Sequence, residues 1–435
     1  MVDFVDVCIN LSDYKFSGKF NNYYFACLIF FTPMGNNISV RNKEGECAFG
    51  LSVVIVSYNC RDFLLLCLDS ILWAKRDDIE VIVVDNASTD STVQLLKNDY
   101  PTVVVVENSE NVGFGKACNQ GMQIAQGRYL LMLNPDTIVP ENLADRIYLF
   151  LDTHPDCGAM GVYMADGCGR YLPESKRMVP TLFSSFCKFT GLAWLFPRSG
   201  LLASYYAGHI RPDQTAEVEI LAGAFMALRR EAVEAVGGFD EDYFMYGEDV
   251  DLSWRMVQLG WKIYYNPEIT IIHFKGESSS KAPSSIKAFY KAMETFYAKH
   301  YDIGSRGLLM LLVRISARLL LLNARLRRLI WGSNLRKLSY PIKGDYLVFS
   351  DNPDSIADEV SRLVVGNHIK TEEVEKKKRI PVCILDLSTC HPSKIIDFVR
   401  IKGFFCRNIL WLNRQRTHIF HPFGASERTI VTTLD

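Results

Sequence analysis

No C-x-x-C occurs in the 435 residues, and the closest cysteines among the twelve, Cys60/Cys67 and Cys383/Cys390, stand seven apart. No His/Cys pattern has zinc-site spacing either, so neither a structural zinc nor a dithiol redox motif is indicated. Cysteines scattered in this way read as buried thiols of a reducing compartment. Charge of one sign is also lacking. Lys and Arg number 48 against 49 Asp and Glu, a net charge of -1, which argues against a nucleic-acid binder held by bulk electrostatics. No segment reaches the roughly 18–20 uncharged apolar residues needed to span a bilayer. The best N-terminal run, YYFACLIFF (Tyr23–Phe31), is too short, and no small-residue cleavage site follows it. Residues 1–50 lack clear periodicity and are expected to be a poorly ordered extension or to lie upstream of the natural start, for which Met34 is one candidate. What the chain has is core: 49% hydrophobic against 22% charged residues, globular composition in a length that exceeds one ordinary domain.

From Leu51 a regular pattern sets in. LSVVIVSYN is a β-branched run, and RDFLLLCLDSILW after it has helical spacing. EVIVVDNASTD with VQLLKNDY repeats the form, TVVVVENSENVGFGKACNQGMQIAQG gives strand, loop and helix again, and YLLMLNPD is a fourth strand. Continuous apolar strands alternating with helices predict a parallel sheet covered on both faces. Ligands bind such sheets outside the carboxyl ends of the strands. There stand Ser57-Tyr58-Asn59, Asp85-Asn86, Asn108 to Asn111 and Asn134-Pro135-Asp136. Any one of these loops is as readily a turn or cap; together on one edge they point to a ligand. Residues 152–215 are less regular and include a basic turn, Lys176-Arg177. ILAGAFMALRREAVEAVGGF then reads as strand, helix and Gly-Gly stop, DVDLSWRMVQLG as a helix, and KIYYNPEITIIHF as a strand.

The stretch YFMYGEDVDLSWR (Tyr243–Arg255) is the densest chemistry in the chain. Six of the twelve residues from Asp240 to Asp251 are acidic, yet Tyr243, Phe244 and Tyr246 stand among them, which a solvated charged helix does not need. Glu248-Asp249 opens a helix behind the flexible Gly247. Walled by rings that stack on sugar faces and exclude water, it suits a base acting on an acceptor hydroxyl during displacement at an anomeric carbon. Asp251 reads as a cap of its own helix or as facing away, and Asp240 and Glu241 as ordering the loop. On the strand edge, Asp85 can accept hydrogen bonds from a base or ribose. Gly113-Phe114-Gly115 lets backbone approach a ligand at a helix start. Asp136 can hold a hard divalent cation whose other ligands are diphosphate oxygens and water. The G-x-G-x-x-G pattern fails, because Cys118 takes the last glycine's place and the loop follows the third strand, not the first. Dinucleotide binding is therefore disfavoured.

The ordered run VVIVSYN, VVDNASTD, NVGFGKACNQG, LNPD, LAGAFMALRR, GGFDEDYFMYGEDVDLSWR and HFKGES resembles the family 2 glycosyltransferases of GT-A fold, most of all their rhamnosyltransferase-like branch. The resemblance spans roughly Leu51–His300. It implies an α/β fold with a mostly parallel central sheet over residues 51–300, and transfer of a sugar from a nucleotide donor with inversion. It further implies that Asp249 is the general base with Glu248 beside it, that Asp85 contacts the nucleotide, and that Asp136 and His273 serve a divalent cation, Mg2+ or Mn2+. For His273 the other reading is a satisfied histidine at a strand end. Ser57, Asn59, Asn86, Gly113, Phe114, Asn119, Asn134 and Gly223 are expected around the nucleotide sugar, and Arg255 at the donor phosphates or holding the base loop. One departure stands out: Asn134 replaces the first acid of the family's D-x-D motif, which leaves one carboxylate for the metal. It is a common form in that branch.

Residues 307–331, GLLMLLVRISARLLLLNARLRRLIW, carry six positive charges with Arg306 and no acid. Arg314, Arg318 and Arg325 share a helical face, so the 301–335 segment fits a helix lying in the interface of an anionic membrane. A helix packed on a neighbouring domain, with Arg stems over apolar surface, is the alternative. Residues 340–435 look like a small βαβα appendage without a catalytic motif. The expectation is thus a metal-assisted inverting glycosyltransferase, cytoplasmic and peripheral at the inner face of the membrane. It would use dTDP-rhamnose first, or a UDP-sugar, to extend a lipid-linked or surface saccharide. A nucleotidylyltransferase would need a Gly-rich basic loop where SYNCRDFLL stands, and a non-catalytic carbohydrate-binding relative would need a degraded site.

Overall fold

The computed structural model describes residues 47–275, 283–301 and, with short gaps, 342–433. The readings made on residues 1–46 and 307–331 fall outside them. Strands β1 (Phe49–Ser57), β2 (Ile79–Asp85), β3 (Val104–Glu107) and β4 (Gly127–Leu133) alternate with helices α1 (Arg61–Leu72), α2 (Thr92–Asp99) and α3 (Phe114–Ile124). They pair in parallel in the order β3-β2-β1-β4, as the apolar runs predict. Successive residues of one strand serve opposite faces. Val53 and Ile55 enter the core that holds Leu64 and Leu68 of α1, while Val54 and Val56 enter the one that holds Ala117 and Met122 of α3. Burial on both sides is why these strands read as unbroken hydrophobic sequence.

Beyond β4 the sheet changes character. β5 (Thr137–Ile138), α4 (Leu143–Thr153) and β6 (Cys157–Ala165) lead into helices α5 (Leu182–Thr190) and α6 (Leu192–Leu195). Then come β7 (Ala216–Val218), β8 (Phe225–Arg229), α7 (Arg230–Val236), α8 (Glu248–Gln258), β9 (Lys262–His273) and α9 (Pro283–His300). The full order is β3-β2-β1-β4-β8-β6-β9-β5, with β7 also on β9. β8 runs antiparallel to β4 and to β6, whereas β6 and β9 are parallel. The result is a mostly parallel α/β sheet whose second half is mixed.

A second sheet follows. β10 (Ile342–Lys343) and β12 (Val364–Val365) pair with each other. β11 (Tyr346–Phe349), β13 (Ile380–Asp386), β14 (Cys406–Leu412), β15 (His418–His421) and β16 (Ile430–Thr433) form a five-stranded sheet, with α10 (Pro392–Lys402) before β14. The βαβα reading captured β11, β13 and α10 but not the antiparallel β14-β15-β16 end; four-residue strands with polar ends carry too few periods to be told from loop. This sheet is not a loose appendage. Phe63 and Leu66 of α1, with Ile272 and Phe274, share one core with Leu385, Ile395, Trp411 and Phe420. Trp411 Nε1–H donates to Gly167 O at 3.1 Å, and Ser393 Oγ–H to Glu141 at 2.6 Å.

Candidate active site

The carboxyl ends of β1, β2 and β4 open into one cleft of about 400 Å³. Of the expected residues, Asn86, Gly113, Phe114, Asn134, Gly223, Glu248, Asp249 and His273 line it. Gly113 shows why a glycine is needed there. Its φ is +91°, and a Cβ would meet Phe244 O at 2.6 Å. That close approach brings the Phe114 N–H onto Phe244 O at 2.9 Å, tying the strand-edge loop directly to the acidic, aromatic loop. Asn86 donates to Gly113 O at 3.2 Å and accepts from Asn108 at 2.9 Å.

Asp249, in the first turn of α8, is held from three sides. Its Oδ2 accepts from Arg177 at 2.5 Å and from the Gly223 N–H at 2.9 Å, and its Oδ1 accepts from the Val250 N–H at 2.8 Å. Glu248 beside it is buried, and its Oε2 has no hydrogen-bond partner. Burial, and then the neighbouring Asp249 charge, push its carboxyl up to about 8, which favours the neutral form of Glu248.

Asp136 is fully buried, with both carboxylate oxygens lacking a hydrogen-bond donor. His273 Nε2 lies 3.3 Å from Asp136 Oδ1, and His273 Nδ1 is likewise without a partner. A carboxylate buried in this way costs free energy unless something compensates it. An oxygen donor beside an imidazole fits a divalent cation that takes its remaining ligands from diphosphate and water. No group of three or more His, Cys, Asp or Glu able to hold a metal occurs among the described residues, so the fit is of the few-ligand kind.

Other expected residues stand away from the cleft wall. Asp85 is buried at the end of β2; its Oδ2 accepts from the Ser88 N–H at 2.8 Å and its Oδ1 has no partner. Ser57 is buried with its Oγ 3.5 Å from Cys60 Sγ. Asn59 accepts from the Thr89 N–H at 2.7 Å, joining the loops after β1 and β2. Asn119 donates to Phe239 O at 2.9 Å and to Glu241 at 3.1 Å, so it braces the α3–loop contact. Arg255 spends its donors on Asp251 at 2.6 Å, Val236 O at 2.6 Å and Gly238 O at 2.8 Å. Of the two uses foreseen for it, holding the loop behind α8 is the one its contacts match; it does not line the cleft. Asp251 is buried and paired with both Arg255 and His300. Tyr243 belongs to the core while Phe244 and Tyr246 line the cleft, so two of the three rings, not all three, can face a sugar.

Sequence reasoning missed a third wall. Glu174, Arg177, Lys188, Tyr205 and Tyr206 come from the irregular stretch between β6 and β7, and Lys275 follows β9. Burial would raise the Glu174 carboxyl, but an ion pair with Lys275 outweighs it and holds the group below its usual range. Only the Lys176-Arg177 turn hinted at this wall, and nothing in its spacing points to Asp249.

Comparison with known proteins identifies the family. Residues 52–237 match the family described as glycosyl transferase family 2. The N-acetylglucosaminyl-diphospho-decaprenol L-rhamnosyltransferase of Mycobacterium tuberculosis is 30% identical over 264 residues, covering 58% of this chain and 85% of that protein. A poly-beta-1,6-N-acetyl-D-glucosamine synthase of Staphylococcus aureus is 26% identical over 223 residues, 50% of this chain and 48% of its own. Among solved structures, the mannosyltransferase PcManGT from Pyrobaculum calidifontis in complex with GDP-Man and Mn2+ aligns at a TM-score of 0.42 with 17% identity, over 66% of this chain and 83% of that one. The chain belongs to glycosyl transferase family 2, with the GT-A fold, and is a glycosyltransferase.

Proposed function

We propose that this glycosyltransferase moves rhamnose from dTDP-rhamnose, with inversion, onto a hydroxyl of a lipid-linked or surface-polysaccharide precursor. The observation that carries the reading is the Asp249 carboxylate, fixed by Arg177 and the Gly223 N–H on the wall of the same cleft that His273 lines beside Asp136. The rhamnose donor and the lipid-linked acceptor are supported by the activity for which the mycobacterial relative is named; a UDP-sugar is the alternative donor.

In this reading Asp249 accepts the proton of the acceptor hydroxyl as that oxygen bonds to the anomeric carbon. The bond from that carbon to the diphosphate breaks in the same step, and its electron pair leaves with the nucleoside diphosphate. Base catalysis of this kind contributes on the order of 10²–10⁴ in rate, and one displacement gives inversion. Asp136 and His273 would hold a divalent cation, which when bound neutralises charge on the departing diphosphate. Asp85 and Asn86 would receive the nucleoside. Phe244 and Tyr246 would flank the sugars and exclude water. Residues 307–331 would hold the enzyme at the cytoplasmic face of the membrane.

Thermal stability measured with UDP, dTDP, GDP and NAD, each with and without Mn2+ or Mg2+, tests the reading. Stabilisation by dTDP or UDP, increased by metal, is expected. Stabilisation by NAD alone, or by none of the four in a demonstrably folded protein, would overturn it.

A further inference from the structure

The wall contributed by the stretch between β6 and β7 is chemically unlike the rest of the cleft. Lys188 of α5 places its Nζ 3.6 Å from the centroid of the Tyr205 ring and 5.3 Å from that of Phe289, and it lines the cleft. Among the described residues no carboxylate pairs with it, whereas Lys275 has Glu174 and Arg177 has Asp249. Rings stabilise an ammonium through their faces but offer no full counter-charge. Arg177 adds to the excess. One end of its guanidinium holds Asp249, while its Nε–H is buried without a partner. Between the two cations stands Tyr205. Burial would raise its phenol, yet Lys188 and then Arg177 draw it below its usual value, so both cations act on the same oxygen. Glu248, the remaining acid on this side, is pushed toward its neutral form by burial and by the neighbouring Asp249 charge. Among the described residues Lys188 is thus a cation of this wall with rings but no carboxylate beside it.

We propose that Lys188, Tyr205 and Arg177 form a phosphate subsite for the acceptor, which enters the cleft as a sugar carrying a phosphate or diphosphate next to the reacting ring. This rests on the reading of Asp249 as the base. The donor's diphosphate is allotted to Asp136 and His273, on the β4–β5 loop and the end of β9. Lys188 and Tyr205 come from a different segment and line the cleft beside Arg177, the residue that grips the base. A base touches the attacking group and not the leaving group, so a phosphate held there belongs to the acceptor. The same guanidinium then senses the acceptor's phosphate and orients the carboxylate that takes its proton.

Two acceptors separate the sources of phosphate: a short-chain isoprenyl diphospho-N-acetylglucosamine and an uncharged alkyl N-acetylglucosaminide of equal length. In the full chain, Lys188→Ala should raise KM for the diphosphate acceptor by roughly 10- to 100-fold, the range for losing a hydrogen bond to a charged group. It should raise the KM of the uncharged acceptor far less and not selectively raise the donor KM, and Lys188→Arg should recover most of the loss. A rise in donor KM instead would assign the subsite to the donor. Equal effects on both acceptors would reduce Lys188 to packing, and a wild-type enzyme indifferent to the diphosphate would overturn the proposal. Calorimetry of geranyl diphosphate binding to the UDP- or dTDP-loaded protein reads the subsite without transfer. Binding weakened by Lys188→Ala supports the subsite even if no sugar moves, whereas binding that is absent or unchanged by the substitution refutes it.

Discussion

Two sheet edges in this molecule carry buried aspartates at the ends of parallel strands, and they differ in how those aspartates are satisfied. At the end of β13, Asp386 is fully buried but accepts from Ser350 at 2.8 Å, from Thr389 at 2.8 Å and from the Ser388 N–H at 2.9 Å. At the edge of the central sheet, Asp136 is equally buried and neither of its oxygens has a hydrogen-bond donor; Asp85 Oδ1 and Glu248 Oε2 are in the same condition. A buried acceptor left unmet costs about 1–3 kcal/mol, so a fold keeps several together only where a ligand meets them. Saturation marks the β13 edge as structure, and its absence marks the central-sheet edge as the candidate site.

The sharpest way to break this contrast is at the base. Asp249→Asn is expected to lower turnover by on the order of 10²–10⁴ while nucleotide-induced thermal stabilisation persists; retained turnover would remove Asp249 from that role. Next is Asp136→Asn. It should abolish the extra stabilisation that Mn2+ adds to bound nucleotide, and should cost the nucleotide-free protein little, since no donor loses a partner. Asp386→Ala should do the reverse. It leaves the Ser388 N–H and the hydroxyls of Ser350, Ser388 and Thr389 without their acceptor and is expected to cost about 1–3 kcal/mol in chemical denaturation, with nucleotide response intact. If Asp386→Ala weakened nucleotide binding as much as Asp136→Asn, the distinction between the edges would fail.

The last comparison concerns pH. The Glu248 carboxyl is raised from its ordinary 4.5 to about 8 in the folded chain, so between those values the folded state holds a proton that the unfolded state has lost. Its contribution to stability is therefore complete below about 4.5 and disappears as pH rises through about 8. Glu248→Gln should flatten the decline of melting temperature across that window. An unchanged slope would show that Glu248 is not the buried proton carrier.

Much of this was legible before any tertiary contact was known. Val53–Val56 and Val81–Val84 announce strands because burial on both faces removes every polar position. Gly113 and Gly247 announce turns because their φ values, +91° and +86°, suit glycine. The acidic stretch is readable as a site, with Asp251 capping its helix or facing away from Glu248-Asp249; Asp249 does line the cleft, and what only the fold supplies is the burial of Asp251 against Arg255 and His300. Asn119, placed near the donor by resemblance, spends its donors on Phe239 O and Glu241, whereas Arg255, given to the donor phosphates or to the base loop, spends its donors on Asp251 and on backbone behind α8.

What the sequence by itself determined was the run of elements, the sheet edge where the ligand loops gather and the family, because apolar periods, glycine turns and ordered motifs are written in residues close together in the chain. Only the tertiary structure decided which polar groups meet. Arg177 reaches Asp249 across 72 residues, and Lys188 reaches Tyr205 through the fold of an irregular stretch. Such pairs follow from the packing of whole segments, and electrostatic contacts that close only after that packing leave no period in the sequence.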